Sequence, residues 1–343
     1  MAYISFQPHD HFSTTTYTGN GSASTALTTG TFQPDWVWFK NRGTTEAHLL
    51  MDAVRGATKY IQSASTAVEG TSSDKISAFT STGVTLGSGA ETNENSQPLV
   101  CWSWKANGAG SANTDGSINT TATSANTTAG FSIVKYTGTG SNATIGHGLG
   151  VAPKMIIVKN LTDARSWGVY HASLGATKGI DLDGTGAAGT ASSYWNDTAP
   201  TTSVFSIGTA NNTGAAQTYV AYCFAEKTGF SKFGSYTGNG SSNGTFVYTG
   251  FKPAFVLIKQ SSASGEDWNI YDNKRNTFNA TDKVLFPNLT NAEATKTGGM
   301  DFLSNGIKMR GTDGAFNTTQ TYIYMAFAEE PLVASNGDAA TAR

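Results

Sequence analysis

Three titratable side chains, Asp52, His171 and Asp272, stand at corresponding places in the sequence. Each directly follows a short apolar stretch, which reads LLM, VY or IY. A carboxylate or imidazole repeated in this way is what a repeated binding site would look like. The alternative is that each side chain caps a turn by accepting hydrogen bonds from nearby backbone N–H groups. The sequence favours the capping interpretation, because it shows no convergent partner for any of the three.

Two aromatic residues, Tyr194 and Trp195, lie in the polar stretch SSYWNDTAP. Flat rings beside Asn and Asp could stack on a sugar while the polar groups bind its hydroxyls. Burial of the rings in a core is the competing interpretation, and the more common fate of such residues. These two residues are therefore candidates for a carbohydrate-binding site.

Catalytic and metal-binding motifs are missing from the sequence. It has no Walker loop, nucleophile elbow, HExxH or CxxC motif. The residues His9 to His11 read HDH, but three adjacent residues in a strand cannot converge on one ion, so we predict no metal and no cofactor. Two carboxylates suited to glycoside hydrolysis stay an alternative, because their separation is spatial. We nevertheless predict a protein that is not an enzyme.

The two cysteines, Cys101 and Cys223, are too few for a disulfide framework. We expect two free thiols in or beside strands, because a free cysteine behaves mainly as a small hydrophobic residue. A single disulfide bond is the alternative, and the sequence does not decide between them.

Charge and hydropathy exclude several classes of partner. Only 13% of the 343 residues are charged, the formal net charge is −2, and Lys and Arg form no cluster, so we expect no nucleic-acid partner. Every run of consecutive apolar residues is far shorter than the roughly 20 residues that span a bilayer, so we expect no membrane segment. The N-terminus lacks the features of a signal peptide, which predicts synthesis in the cytoplasm without export.

A polar hexapeptide recurs three times: YTGNGS at 17–22, YTGTGS at 136–141 and YTGNGS at 236–241. A proline follows each hexapeptide tyrosine by 17 residues and a lysine follows it by 23; the lysines are Lys40, Lys159 and Lys259. Four apolar residues precede each lysine, which predicts a strand buried on both faces. Asn-Gly within the hexapeptide predicts a type I′ hairpin turn.

Each copy of this pattern ends in a stretch whose large residues alternate: VCWSWKA at 100–106, VAYCFAE at 220–226 and IYMAFAE at 323–329. A period of two with one heavy face predicts a half-buried strand that packs on a core. Many short strands with frequent turn residues, and no convincing helical periodicity, are typical of β-sandwiches.

The sequence therefore predicts an all-β protein of three tandem antiparallel β-sandwich domains with a jelly-roll-like fold. The domains span residues 12–106, 131–227 and 230–330, which are called the first, second and third segments below. Residues 107–130 are rich in Gly, Ser, Thr and Asn and are predicted to be a flexible linker. Residues 1–11 form an N-terminal extension and residues 331–343 a C-terminal tail.

The FS and YTGxGS motifs, the proline and lysine spacing and the terminal FAE together resemble a tandem-repeat family of undefined function. That family occurs in virion proteins of bacteriophages, especially marine ones. The resemblance covers all three segments, but the first segment departs from the pattern by ending in SWKA. It implies a tail-fibre or head-surface setting and brings no catalytic residues with it.

We therefore expect a non-enzymatic structural protein of the virion surface, of the tail-fibre and adhesion type or of the capsid-decoration type. Its expected partners are other virion proteins. A homo-oligomer is expected, with a trimer as the first choice, because cyclic symmetry is common in assemblies. The alternative is a lectin-like or glycan-cleaving protein that acts on a host surface polysaccharide.

Overall fold

The computed structural model describes residues 7–330 and is built almost entirely from antiparallel strands. Its helical parts are a 3₁₀ turn at Pro8–Asp10 and two one-turn helices, α1 (Ala90–Asn93) and α2 (Ser192–Trp195). The predicted all-β class is thus confirmed. The predicted C-terminal tail, 331–343, and the first six residues of the predicted N-terminal extension lie outside the described residues.

The first segment contains nine strands. They are β1 (Phe12–Thr18), β2 (Thr25–Thr28), β3 (Trp36–Asn41), β4 (Leu49–Asp52), β5 (Lys59–Gln62), β6 (Gly70–Thr71), β7 (Ile76–Thr80), β8 (Gly83–Leu86) and β9 (Pro98–Trp104). A large sheet has the order β1-β9-β3-β4-β5-β6, and a small sheet has the order β2-β8-β7.

The second sheet pair begins with β10 (Ala122–Asn126) and continues with β11 (Phe131–Thr137), β12 (Ala143–Gly146), β13 (Met155–Asn160), β14 (Gly168–His171), β15 (Lys178–Asp181), β16 (Gly189–Thr190), β17 (Val204–Ile207) and β18 (Thr218–Phe224). Its large sheet has the order β10-β11-β18-β13-β14-β15-β16, and its small sheet is β12-β17.

The third segment contains β19 (Ser231–Thr237), β20 (Phe246–Tyr248), β21 (Phe255–Gln260), β22 (Asn269–Asp272), β23 (Thr281–Val284), β24 (Ala294–Leu303), β25 (Gly306–Met309) and β26 (Thr321–Phe327). Its large sheet has the order β19-β26-β21-β22, and its small sheet has the order β20-β25-β24-β23. The exact boundaries of the three predicted domains stay a prediction.

The last strand of each segment, called its closing strand, lies inside the large sheet between the first strand and the strand that ends in the lysine motif. This order reads β1-β9-β3, β11-β18-β13 and β19-β26-β21. Every residue of β3, β13 and β21 is buried. The four apolar residues before each lysine therefore form a strand buried on both faces, as their pattern predicted.

The three large sheets share one central core. Its buried members come from all three segments, and aromatic rings meet across them: Trp36 stacks on Tyr222 with ring centroids 4.6 Å apart, and Phe12 stacks on Phe327 at 5.3 Å. The opposite face of each large sheet packs on the small sheet of its own segment in a separate cluster. The closing strands are consequently buried on both faces, whereas alternation alone predicted half-burial.

The YTGNGS hexapeptide is not a hairpin turn, so that prediction was wrong. Strand β1 pairs with β9 and β2 pairs with β8, so residues 19–24 cross from the large sheet to the small one. Gly21 has a φ of +66°, but Asn20 does not share the positive φ that a type I′ turn requires. The amides of Gly19 and Gly21 donate to Gln97 and Asn93 instead, because the neighbouring strand in sequence is not the pairing partner.

Residues 107–130 also differ from the flexible linker that their composition predicted. Strand β10 pairs with β11, and isolated bridges join Ser111 to Thr123 and Ile118 to Ile145. The amide of Ile118 donates to the carbonyl of Thr144 at 3.1 Å. Residues 107–130, which include one large apolar residue, are thus held to the second segment by backbone hydrogen bonds, which composition does not report.

Candidate functional site

The repeated carboxylates Asp52 and Asp272 end strands β4 and β22 and are fully buried. In each, Oδ1 accepts the backbone N–H of an arginine three residues later, Arg55 or Arg275, at 2.8 Å. The guanidinium Nε of the same arginine donates to Oδ2, at 2.5 Å and 2.6 Å. Both aspartates therefore cap a turn and form a buried ion pair.

A further hydrogen bond reaches each carboxylate from a different segment. The Tyr222 hydroxyl donates to Asp52 Oδ2 at 2.8 Å, and the Trp102 indole N–H donates to Asp272 Oδ2 at 3.1 Å. The first of these bonds joins the second segment to the first, and the other joins the first segment to the third. The carboxylates thus act as links between segments.

His171 occupies the corresponding position at the end of β14 and is 1% exposed. Its Nδ1 accepts the N–H of Ser173 at 3.2 Å, so Nε2 carries the proton and donates to the carbonyl of Tyr324 at 3.2 Å. Desolvation by burial lowers the pKa of His171 to about 4. A neutral imidazole therefore links the second segment to the third. The three predicted candidates lie in three separate links and do not form one common site.

The three motif lysines form a second set of links that sequence reasoning did not anticipate. Each is fully buried, and its ammonium group donates to the carbonyl of the next residue and to a carbonyl of another segment. Those second bonds run from Lys40 to Thr290, from Lys159 to Thr66 and from Lys259 to Thr185, at 3.2, 3.0 and 3.4 Å. Burial lowers the pKa of each lysine to about 8. The fixed spacing of the lysines was the available signal.

Backbone hydrogen bonds join the same pairs of segments, and the three pairs form a closed cycle. They run from the amide of Glu69 to Leu161, from Ala188 to Ser261 and from Glu293 to Arg42, at 3.1, 2.9 and 2.9 Å. They join the first segment to the second, the second to the third and the third to the first. Each of these three contacts, together with its lysine and its Asp or His link, is called a junction below.

Trp195 does not fit a sugar-stacking role, because its ring is 1% exposed and belongs to the core under the second small sheet. Tyr194, its neighbour in α2, is half-buried and lines a cavity of about 290 Å³. The walls of this cavity are the ends of β15 and β16, the glycine-rich loop between them, and α2. One of the two aromatic candidates thus borders an accessible cavity.

The polar groups of this cavity are Asp181 and the Tyr194 hydroxyl, which donates to Asp181 Oδ1 at 3.2 Å. Burial and the nearby charge of Asp183 raise the pKa of Asp181 to about 6. Asn212 Nδ2 donates to the Tyr194 hydroxyl at 3.0 Å, which fixes the ring from its other side. Sequence reasoning missed Asp181, because nothing local distinguishes it from other surface acids.

Cys101 and Cys223 are free and buried in β9 and β18, as expected for small apolar residues in strands. Within residues 7–330, no cluster of three or more His, Cys, Asp or Glu side chains could hold a metal ion. Over the same residues, no helix has the length and apolar character needed to cross a membrane.

The sheets and their junctions define an all-β protein in which antiparallel sheet pairs surround a common core. Residues 7–331 match the family model described as Domain of unknown function (DUF7483), and the chain belongs to that family. Neither a curated protein nor a solved structure matches the chain.

Proposed function

We propose that the chain is a non-enzymatic structural protein on the surface of a bacteriophage virion, of the tail-fibre and adhesion type or of the capsid-decoration type. The setting rests on the resemblance of its three motif sets to repeats of virion proteins. The observation that carries the structural role is the closed cycle of junctions, in which the third segment bonds back to the first.

This cycle supports a structural role because it joins three sheet pairs into one body. Each junction contains a buried lysine, a buried Asp or His and a backbone hydrogen bond. The three junctions lie around the shared aromatic core. Separating one segment would expose the shared apolar core to water, which is unfavourable, and would exchange these buried hydrogen bonds for bonds to water. Such a body keeps its shape without help from a neighbouring protein.

Purified virions test the proposed setting. If the protein copurifies with particles, gel densitometry gives its copy number: a high number indicates the head surface and a low number indicates the tail. Absence of the protein from washed particles would contradict the proposal.

The proposed partners are other virion proteins, and the proposed assembly is a homo-oligomer with a trimer as the first choice. The three segments already satisfy their junctions within one chain, so a trimer would be formed through their outer surfaces. Multi-angle light scattering of the purified chain at increasing concentration tests this assembly. A monomer throughout would exclude the self-assembled trimer and leave the virion role to be tested by copurification.

A second candidate is a protein that binds, or cleaves, a polysaccharide of the host surface. It is favoured by two aromatic side chains that project from the same face of β20: Phe246 is 44% exposed and Tyr248 is 63% exposed. The exposed residues of the corresponding strand β2 are Ala26 and Thr28. Exposed aromatic rings suit stacking on sugars, because each ring offers an apolar face beside polar neighbours.

A glycan array with the wild-type chain and the variant Tyr248→Ala tests this candidate. We expect a signal that the variant loses. Phe278→Ala is the matched control, because Phe278 is a 77% exposed ring elsewhere in the third segment. No signal on any host polysaccharide, or equal loss in both variants, would exclude a role for the β20 rings.

A further inference from the structure

The cavity beside Tyr194 exists because two glycines face each other across β15 and β16. Gly179 is the cross-strand partner of Gly189. In the first segment the equivalent pair is Tyr60 and Gly70, since Tyr60 and Gly179 both lie 43 residues after their hexapeptide tyrosines. The Tyr60 ring covers its partner so closely that a Cβ atom on Gly70 would lie 2.3 Å from Tyr60 Cζ.

The third segment fills the same place with a different side chain. Val284 corresponds to Gly179. The residue after it, Leu285, forms an isolated bridge with Ile270, as the residue after Gly179, Ile180, pairs with Val169. Val284 is fully buried. Among the three segments, only the second leaves this face of the sheet without a side chain from the strand pair, and glycine in a strand often marks the close approach of a ligand or of another backbone.

The Tyr194 ring, held in a fixed position, covers Gly179, so the free space of the cavity lies over Gly189. Tyr194 lies against Gly179, since a Cβ atom there would be 2.8 Å from Tyr194 Cδ2. Its hydroxyl is held between Asp181 and Asn212. The ring is half-buried and still borders the cavity. A ligand in the cavity therefore contacts a rigid apolar ring. Because the ring is already ordered, binding does not have to pay the entropy cost of ordering it.

The carboxylate of Asp181 determines the polar part of the ligand. It forms no ion pair within residues 7–330, and it receives the Tyr194 hydroxyl on Oδ1 only. A carboxylate accepts hydrogen bonds at about four positions, so capacity for donors remains. Asp183 adds a second negative charge nearby, which disfavours an anion. The site suits a neutral molecule that combines several hydroxyl donors with an apolar face.

A sugar residue has this combination, with hydroxyls around its edge and C–H groups on its face. We propose that the cavity binds one sugar residue, whose C–H face packs on the Tyr194 ring and whose hydroxyls donate to Asp181. The volume of about 290 Å³ lies at the lower end of ligand cavities, in keeping with a single ring. A site for one ring has few contacts, so we expect a dissociation constant on the order of 1 mM.

This site is distinct from the aromatic pair of β20, which belongs to the third segment, and each can bind a glycan without the other. Saturation-transfer NMR with the full chain tests the cavity. The probes are the methyl glycosides of glucose, galactose, mannose and N-acetylglucosamine. We expect saturation transfer to at least one of them, and a loss of affinity of roughly tenfold or more in Asp181→Asn, which removes a charged acceptor.

Gly189→Leu is the second variant, designed to fill the cavity without disturbing the fold. A Cβ atom on Gly189 would meet no heavy atom within 4 Å, and its φ is not in the left-handed region. We expect an unchanged melting temperature and loss of the saturation-transfer signal. Asp163→Asn is the matched control, because it removes one exposed carboxylate from the same segment and should leave binding unchanged.

Three outcomes would overturn the assignment. The first is the absence of transfer to every glycoside. The second is binding that survives in both Asp181→Asn and Gly189→Leu but disappears in Tyr248→Ala, which would place the sugar on β20. The third is tighter binding of methylammonium than of every glycoside, which would make the cavity a cation site.

Discussion

Two of the three junctions contain a buried ion-pair network beside their lysine, and the third has a neutral histidine in place of that network. At the junction of the first and second segments, Asp52, Arg55 and Glu69 form an ion-pair network with the Tyr222 hydroxyl. The junction of the third and first segments has the equivalent set, which is Asp272, Arg275, Glu293 and Trp102. At the junction of the second and third segments the same four positions hold His171, Leu174, Ala188 and Met325.

The difference shows that the residues at these four positions change together. A buried carboxylate is stable only with a guanidinium and further donors around it, because an unpaired charge in a core is costly. Met325 stands where Tyr222 and Trp102 supply a donor, and it has none to give. There the carboxylate is replaced by an imidazole that reaches the backbone carbonyl of Tyr324. The buried Asp or His of each junction therefore has hydrogen-bond partners, although the partners differ from one junction to the next.

The largest loss of stability is expected when one partner of a buried ion-pair network is removed. Arg55→Leu leaves Asp52 buried without its guanidinium, and we expect a loss of about 3–5 kcal/mol in the free energy of unfolding. Urea denaturation followed by tryptophan fluorescence measures it. The control Arg165→Leu removes an arginine whose ion pair with Asp163 is exposed, and should cost less than about 1 kcal/mol. Similar losses in both variants would show that buried charge is not what distinguishes this junction.

The second largest effect is expected when acid weakens the junction that contains His171. The pKa of His171 is lowered from 6.5 to about 4, so the unfolded chain binds the proton first as the pH falls. The stability from the neutral imidazole is complete above pH 6.5 and is lost progressively down to about pH 4, by roughly 3 kcal/mol. Urea titrations at pH 7, 5.5 and 4 measure the slope. His171→Gln, which cannot take up a proton there, should remove this part of it, and an unchanged slope would contradict the assignment.

The smallest effect is expected when the whole ion-pair network of one junction is replaced by neutral residues. The variant Asp52→His, Arg55→Leu, Glu69→Ala and Tyr222→Phe removes every charge of the network and keeps the ring that stacks on Trp36. We expect it to lose within about 2 kcal/mol in the free energy of unfolding, less than Arg55→Leu alone, because no buried charge is left unpaired. A larger loss than that of the single variant would mean that the junctions are not interchangeable units.

How much of the fold and of the junctions the sequence could predict depends on how far apart along the chain the interacting residues lie. The strand from Trp36 to Asn41 was predictable, because four apolar residues before a lysine report burial locally. The correspondence of Asp52 and Asp272 was also visible from spacing. Their donors were not, since Tyr222 and Trp102 each lie 170 residues away along the chain.

The cavity was hidden for a different reason. Its defining feature is a missing side chain at Gly179, which has meaning only when it is compared with Tyr60 on the equivalent strand. The type I′ prediction failed because it assumed that strands adjacent in sequence are paired. The flexible-linker prediction failed because composition measures side chains, whereas backbone groups hold residues 107–130 in place.

A cycle has no first member, and here the described ends of the chain meet. His9 Nδ1 lies 3.6 Å from a carboxylate oxygen of Glu330, and the rings of Phe12 and Phe327 stack beside them. Circular permutants, with these ends connected by a short peptide and new ends opened at the exposed turn around Ala109, should therefore fold. Which segment is synthesised first is then not a requirement of the fold, as long as the cyclic order of the three segments is kept.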